Sequence, residues 1–299
     1  MSATVVTTVP LPSSTDIADI SPYSYVPTRW VCIVMIVLFG ISTLLHFLTT
    51  IRYRLWWLIP TACLAGGGEL VGWAGRLWSS INIANTTPFK LQIILTIIAP
   101  TPFLASIFII FTRVMDTLGT EYSRLSPRWY AKIFISCDII ALVIQGLGGG
   151  IAASSSTVSG EMRGAHIMLA GIIFQLVAML VFCFLAIGYT LRFRKDRPVR
   201  AKVADSPYLR PWDKQLHLMA VGLALSTGFL LIRAIYRVAE LGDGWEGVIL
   251  RTEVYFDVFD GLMVAFAMLS LGIFNPGVLL YGPTTTRRKV EFVDMREKA

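Results

Sequence analysis

Ionisable residues sit in the middle of apolar stretches of this chain, at the spacing of helix faces. Glu69 and Arg76 are seven residues apart, as are Asp138 and Gln145, so each pair lies on one side of a helix. Arg233, Arg237 and Glu240 share a face, and so do Glu253, Asp257 and Asp260. An ionisable group inside a bilayer is costly and marks a path, a pocket or a structural pair. Here the acids Glu69, Asp138, Glu240, Glu253, Asp257 and Asp260 outnumber the bases Arg76, Arg233 and Arg237. Some must pair. Arg76, Arg233, Arg237 and Glu240 are expected to form a structural ion-pair network, and Glu69 is expected to meet Arg76 or Arg237. The surplus carboxylates could receive a cation or a proton, or could simply face water.

The elements that position these groups are read from composition. The chain is 55% hydrophobic and 15% charged, against about 25% charged in an ordinary soluble domain. Seven apolar runs of spanning length occur at 30–49, 58–78, 91–114, 133–153, 165–191, 215–235 and 253–274. Packing them as core helices of a soluble protein would leave too little polar surface to cover them. The expected fold is all-α, a polytopic membrane protein with a seven-transmembrane helix bundle at 30–282. An N-terminal arm (1–29) and a short tail (283–299) flank it, without a second domain. In the second run Gly68, Gly72 and Gly75 recur on the face of Glu69 and Arg76, which lets a neighbouring helix approach closely. Pro100 and Pro102 predict a kink or a partly opened helix in the third. The Gly run after Gln145 (Gly146, Gly148, Gly149, Gly150) lacks GxxxxGK[ST] and GxGxxG, so nucleotide binding is not indicated.

Charge sets the orientation. Most of the 26 Lys and Arg fall in the first, third and fifth connections and the tail. By the positive-inside rule the N-terminus then lies outside and the C-terminus in the cytoplasm. The basic pI reflects that topology and contact with anionic inner-leaflet lipid rather than nucleic acid. The arm lacks a basic n-region and an early apolar core, so the run at 30–49 is predicted to act as an uncleaved signal anchor. Asn85-Thr86-Thr87 is an N-glycosylation sequon in an outside connection. Cys32, Cys63, Cys137 and Cys183 all lie within spans, and no Cys/His spacing suggests metal; no cofactor is expected.

In order along the chain, further motifs accompany these groups. They are Tyr23-Ser24-Tyr25-Val26-Pro27-Thr28; Glu69-x-x-Gly72-Trp73-x-x-Arg76; and Asp138 with Gln145-Gly146-x-Gly148-Gly149-Gly150. Then come Gly171-x-x-x-Gln175; Arg233-x-x-Tyr236-Arg237-x-x-Glu240; and Glu253 with Phe259-Asp260. In that order the sequence resembles the fungal lipid-translocating exporters of the RTA-like family, named for resistance to aminocholesterol. It departs at Asp257, where an aromatic or apolar residue is expected, and at Thr252, where His is usual. The resemblance implies a seven-helix protein of the plasma membrane that moves amphiphilic lipids such as sphingoid long-chain bases or sterol-like toxins. Its partners are membrane lipids and an amphiphilic substrate with a cationic head. On that reading Glu69, Asp138, Gln145, Gln175, Glu253, Asp257 and Asp260 are candidate substrate contacts, with Asp260 and Glu253 foremost.

A seven-helix receptor or lipid sensor without transport is the alternative, since it shares the topology. Asn275-Pro276-Gly277-Val278-Leu279-Leu280-Tyr281 is similar to a receptor NPxxY but has two extra residues, and Thr112-Arg113-Val114 lacks the acidic-Arg-Tyr signature. A retinal protein would need a Lys in 253–274, and a haem carrier paired axial His across helices; neither is present in the sequence. No Ser/His/Asp set or His box supports a membrane enzyme.

Overall fold

In a computed structural model of the protein, residues 21, 23, 25–83, 85–155, 157–200, 212–244 and 247–281 are described. Most of the predicted arm, the whole predicted tail and the middle of the basic fifth connection therefore lie outside the described residues. Among the described residues the chain is helical throughout, with no strand. In chain order the helices are α1 (Arg29–Tyr53), α2 (Leu64–Ile81), α3 (Thr86–Ile98), α4 (Pro100–Leu118), α5 (Pro127–Ser154) and α6 (Val158–Arg194). After them come α7 (Lys214–Gly242), the short α8 (Val248–Arg251) and α9 (Glu253–Phe256), α10 (Met263–Ile273) and α11 (Pro276–Tyr281).

Six helical stretches are long and apolar enough to cross a membrane: Arg29–Tyr53, Thr86–Leu118, Pro127–Ala152, Val158–Arg194, Lys214–Gly242 and Glu253–Tyr281. The chain is a multi-pass membrane protein. The predicted second run is helical too, as α2 preceded by a π-helical turn at Ile59–Cys63. Its hydropathy falls short because five glycines, Glu69 and Arg76 dilute its apolar residues. α6, at 37 residues, is about 56 Å long at 1.5 Å per residue and overruns the roughly 30 Å hydrocarbon layer.

Packing follows sequence order around a ring: α1 on α2, α2 on α3, α4 on α5, α5 on α6, α6 on α7, α7 on α10, and α10 back on α1. α4 is the most enclosed span, burying residues on every side from Pro100 to Leu118, and it also touches α2 and α7. In one half of the bundle Phe108 and Phe111 of α4 meet Tyr130 and Phe134 of α5 and Phe182 of α6, with Phe108 and Phe182 centroids 4.6 Å apart. Edge contacts of this kind add to area burial in holding aromatic side chains. Gly148 and Gly164 bring α5 and α6 together so closely that a Cβ on either would strike the other helix's backbone. The other half of the bundle holds the charges.

Two sequence features shape that half. Pro100 ends α3 and starts α4, as the kink expectation required. Proline has no N–H, so the carbonyl four residues back, at Thr96, loses its helical donor. The seventh stretch is interrupted by a π-helical turn at Asp257–Leu262. π-turns insert an extra residue into a helix and are frequent at functional sites.

Candidate functional site

Two linked charge clusters lie within the bundle. In the first, Arg237 of α7 grips Asp260 through both carboxylate oxygens, Nε to Oδ1 at 2.7 Å and Nη2 to Oδ2 at 2.7 Å. A two-pronged pair of this kind is the strongest that the two groups can make. The remaining Arg237 nitrogen, Nη1, donates to Glu240 Oε2 at 2.9 Å, and Tyr236 donates to Glu240 Oε1 at 3.0 Å. Arg233, one turn earlier, sits with Nε 2.8 Å from Asp260 Oδ1, a charge contact without hydrogen-bond alignment. Its Nη2 donates to the Thr96 carbonyl at 2.6 Å. That is the acceptor Pro100 leaves open, so the break between α3 and α4 is tied to the charge cluster by a strong hydrogen bond.

In the second cluster Arg76 of α2 takes Glu253 Oε1 and Asp257 Oδ1, each at 3.2 Å from Nη2. Four aromatic rings surround its guanidinium: Tyr23, Tyr25, Trp73 and Phe256, with centroids 4.8–5.7 Å away. Cation–π contacts add about 0.5–2 kcal/mol each, most when desolvated. Residues ahead of α1 complete the cage. Tyr23 donates to Gln92 Oε1 at 2.7 Å, Tyr25 accepts from Arg76 at 3.2 Å, and Thr28 donates from its amide and its hydroxyl to the two oxygens of Glu253. Burial pushes the Tyr23 phenol up to about 12 and raises Tyr25 as well, so both phenols stay neutral at ordinary pH.

Arg76, Arg233, Arg237 and Glu240 each make ion pairs, in pairings that differ from the face-to-face stripes that spacing implies. Glu253 and Asp257 turn away from Arg233 and Arg237 and go to Arg76; of the seventh stretch only Asp260 meets the α7 arginines. The π-turn reaims these side chains, and it has no signature in a heptad count. Glu69 does not pair with Arg76 or Arg237. Among the described residues no cation reaches salt-bridge distance of it, and its Oε1 is buried without a hydrogen-bond partner. Trp73 Nε1, one turn along the same helix, faces it without forming an aligned hydrogen bond. Both expected partners turn to other carboxylates, Arg76 to Glu253 and Asp257 and Arg237 to Asp260 and Glu240, and that follows from helix rotation rather than from spacing along α2.

Beside the first cluster lies a narrow cleft, of about 30 Å³, between the α3–α4 break and helices α5, α6 and α7. Ile97, Pro100, Leu104, Ile172, Met179 and Leu230 form its apolar wall, and Gln145, Gln175, Arg233 and Arg237 its polar end. Gln145 donates to Gln175 at 3.0 Å, and Gln175 to Thr101 at 3.4 Å. Asp138, two turns before Gln145 on α5, faces Gln175 without an aligned hydrogen bond, and its buried Oδ2 has no partner. Gln145 and Gln175, from different motifs, are thus in contact. Asn85 caps α3, accepting from the Thr87 amide at 2.9 Å, in a tight connection between α2 and α3. Among the described residues no group of His, Cys, Asp and Glu could hold a metal.

Thr28, Tyr236 and Thr96 escape a search for buried charge because they are neutral. Thr28 is the most telling. It is the N-cap of α1, yet its side chain makes no capping bond to its own helix.

Fold and site together define a multi-pass helical membrane protein whose spans enclose an ion-paired polar interior beside a narrow, mainly apolar cleft. The chain belongs to the RTA1 like protein family, whose sequence profile matches residues 62–282. Among its curated relatives is the sphingoid long-chain base transporter RSB1 of Saccharomyces cerevisiae, 30% identical over 286 residues, covering 87% of this chain and 75% of the relative. Protein RTM1 of the same yeast is 29% identical, covering 67% of this chain and 62% of its own length. Protein RTA1 is also 29% identical, with 67% and 60% covered. No solved structure matches.

Proposed function

We propose that the protein moves amphiphilic lipids with a cationic head, of the sphingoid long-chain base class, across the plasma membrane, and so contributes to resistance against toxic amphiphiles. The observation that carries this reading is the cleft. Once the helices part, its apolar wall would line a hydrocarbon chain, and Gln145 and Gln175 suit hydroxyls of a headgroup. Asp138 and Glu69 each keep a buried oxygen without a partner, and Asp138, beside Gln175, is the one placed next to the glutamines and so the candidate to take an ammonium. Asp260 is spoken for by two arginines, so its role is to hold the bundle rather than to bind. The printed function of the yeast relative RSB1 supports the same substrate class.

In this reading α2 with its π-turn is the second of seven spans, the N-terminus lies outside, and Asn85 is exposed to glycosylation. Uphill movement would draw on proton coupling or a partner ATPase, since the sequence holds no nucleotide motif. The test is efflux of a labelled long-chain base from cells lacking other family members. Wild type should raise efflux several-fold over vector, and the double variant Gln145→Leu/Gln175→Leu should abolish the gain at equal surface level. Wild-type cells that bind the base yet release it no faster than vector controls would overturn transport in favour of a seven-helix sensor.

A further inference from the structure

Glu253 has a partner of unusual form. The Thr28 amide donates to Oε1 at 2.6 Å and the Thr28 hydroxyl to Oε2 at 2.7 Å, so one residue occupies both oxygens of one carboxylate. The two donors are separated by N–Cα–Cβ–O, the skeleton of a 1,2-amino alcohol. A threonine at a helix N-cap ordinarily turns its hydroxyl onto its own helix, which contributes about 1 kcal/mol. Thr28 makes no such bond and reaches instead across to the start of the seventh stretch. The segment before it is fixed at two more points, by Tyr23 on Gln92 of α3 and by Tyr25 under Arg76 of α2. A strap thus closes this end of the bundle over α2, α3 and α9. The charges beneath it do not balance: Arg76 is one cation against the two carboxylates Glu253 and Asp257.

We propose that this strap is an internal stopper whose Thr28 stands in for an amino-alcohol headgroup on Glu253, and that an amphiphile carrying such a headgroup displaces it as it leaves the bundle. The inference rests on the transport reading for the identity of that amphiphile. The exchange conserves hydrogen bonds, since a 2-amino-1-ol presents the same N–H and O–H to the same two oxygens. It also favours the ligand, because an ammonium brings the positive charge that the amide of Thr28 lacks, and hydrogen bonds to an ionised donor are about twice as strong as neutral ones. Glu253 is the exchange point because its side chain is 18% exposed, whereas Arg76 behind it is 1% exposed.

A thiol reporter on the strap tests the exchange. Val26→Cys places it on a residue whose side chain has no role in the clamp, and the wild-type chain measures the background from its own cysteines. Labelling by a bulky impermeant maleimide should accelerate several-fold when a long-chain 2-amino-1-ol is added, and should not respond to the alcohol of equal chain length. In the same background Thr28→Val should label fast without ligand, Thr28→Ser should restore the slow rate, and Glu253→Gln should remove the ligand response. Transport of the long-chain base with a labelling rate that the amino alcohol leaves unchanged would overturn the stopper and leave the transport reading intact. Ligand-dependent labelling in a protein that moves no lipid would uphold the exchange on Glu253 and overturn the transport reading instead.

Discussion

Asp138 and Asp260 are both carboxylates buried in the bundle, yet their surroundings assign them opposite roles. Asp260 touches two guanidiniums; Asp138 has an oxygen with nothing on it. Asp260→Asn should therefore destabilise the bundle by about 3–5 kcal/mol, the usual effect of stripping one partner from a buried pair. Asp260→Asn combined with Arg233→Met should destabilise less, because it leaves the Arg237–Glu240 pair neutral as a unit. Thermal unfolding in detergent reads both, and equal losses for the single and the double variant would refute the pairing argument. Asp138→Asn, by contrast, should lower long-chain base efflux at least tenfold while surface level and melting temperature hold. Tyr23 adds a pH signature. Its folded value lies above the ordinary phenol, so its contribution to docking the strap is present below about pH 10 and is lost as pH rises toward about 12. Labelling of a strap thiol at 26, corrected for maleimide reactivity, should accordingly stay flat from pH 6 to 9.

At the scale of the elements, glycine decides how near two helices come. A Cβ at Gly148 would meet the Met168 amide and the Gly164 carbonyl, and one at Gly164 would meet the Ala152 amide, all of them backbone that cannot swing aside. Gly146, two residues away on the same helix, has open space around its Cβ direction. Gly148→Ala should thus destabilise by about 1–3 kcal/mol, as overpacking does, whereas Gly146→Ala should be neutral or slightly stabilising through helix propensity. Identical melting temperatures for the two would mean that α5 and α6 do not pack this closely. The same helices mark what the sequence made legible. Apolar run length found every long helix, and Pro100 located the break between α3 and α4, because both are local properties. Which acid meets which base was not legible: Glu69 and Arg76 share a face of α2, but the partner of Arg76 depends on how the seventh stretch is rotated. The π-turn at Asp257–Leu262 sets that rotation, and nothing in DVFDGL announces it. Thr28 was visible only as part of a motif, since its importance comes from a residue 225 positions away.

For the whole molecule, orientation decides whether the strap and its cage face the medium or the cell. The basic residues are the physical warrant. Arg113, Arg124, Arg128, Arg192, Arg194 and Lys195 lie in the last or first turns of helices α4, α5 and α6 and in the connections beside them, at the end of the bundle opposite Arg76, where the Tyr122, Tyr189 and Phe193 cluster lies. Lys and Arg are retained on the cytoplasmic side during insertion, so the Arg76 end is expected outside, and with it the connection that carries Asn85. A protease-sensitive tag after residue 299 should then resist digestion in sealed cells, and one placed before residue 20 should be removed. Thr28 and Glu253 would be open to the medium once the strap lifts, which the maleimide experiment requires. Any glycan should vanish with Asn85→Gln. Because Asn85 also caps α3 through its Oδ1, Asn85→Asp should keep the cap, while Asn85→Gln, one methylene too long, and Asn85→Ala should each lose about 1 kcal/mol. Digestion of the C-terminal tag from outside intact cells would reverse the orientation, and would place the strap at the cytoplasmic mouth as an entry stopper rather than an exit one.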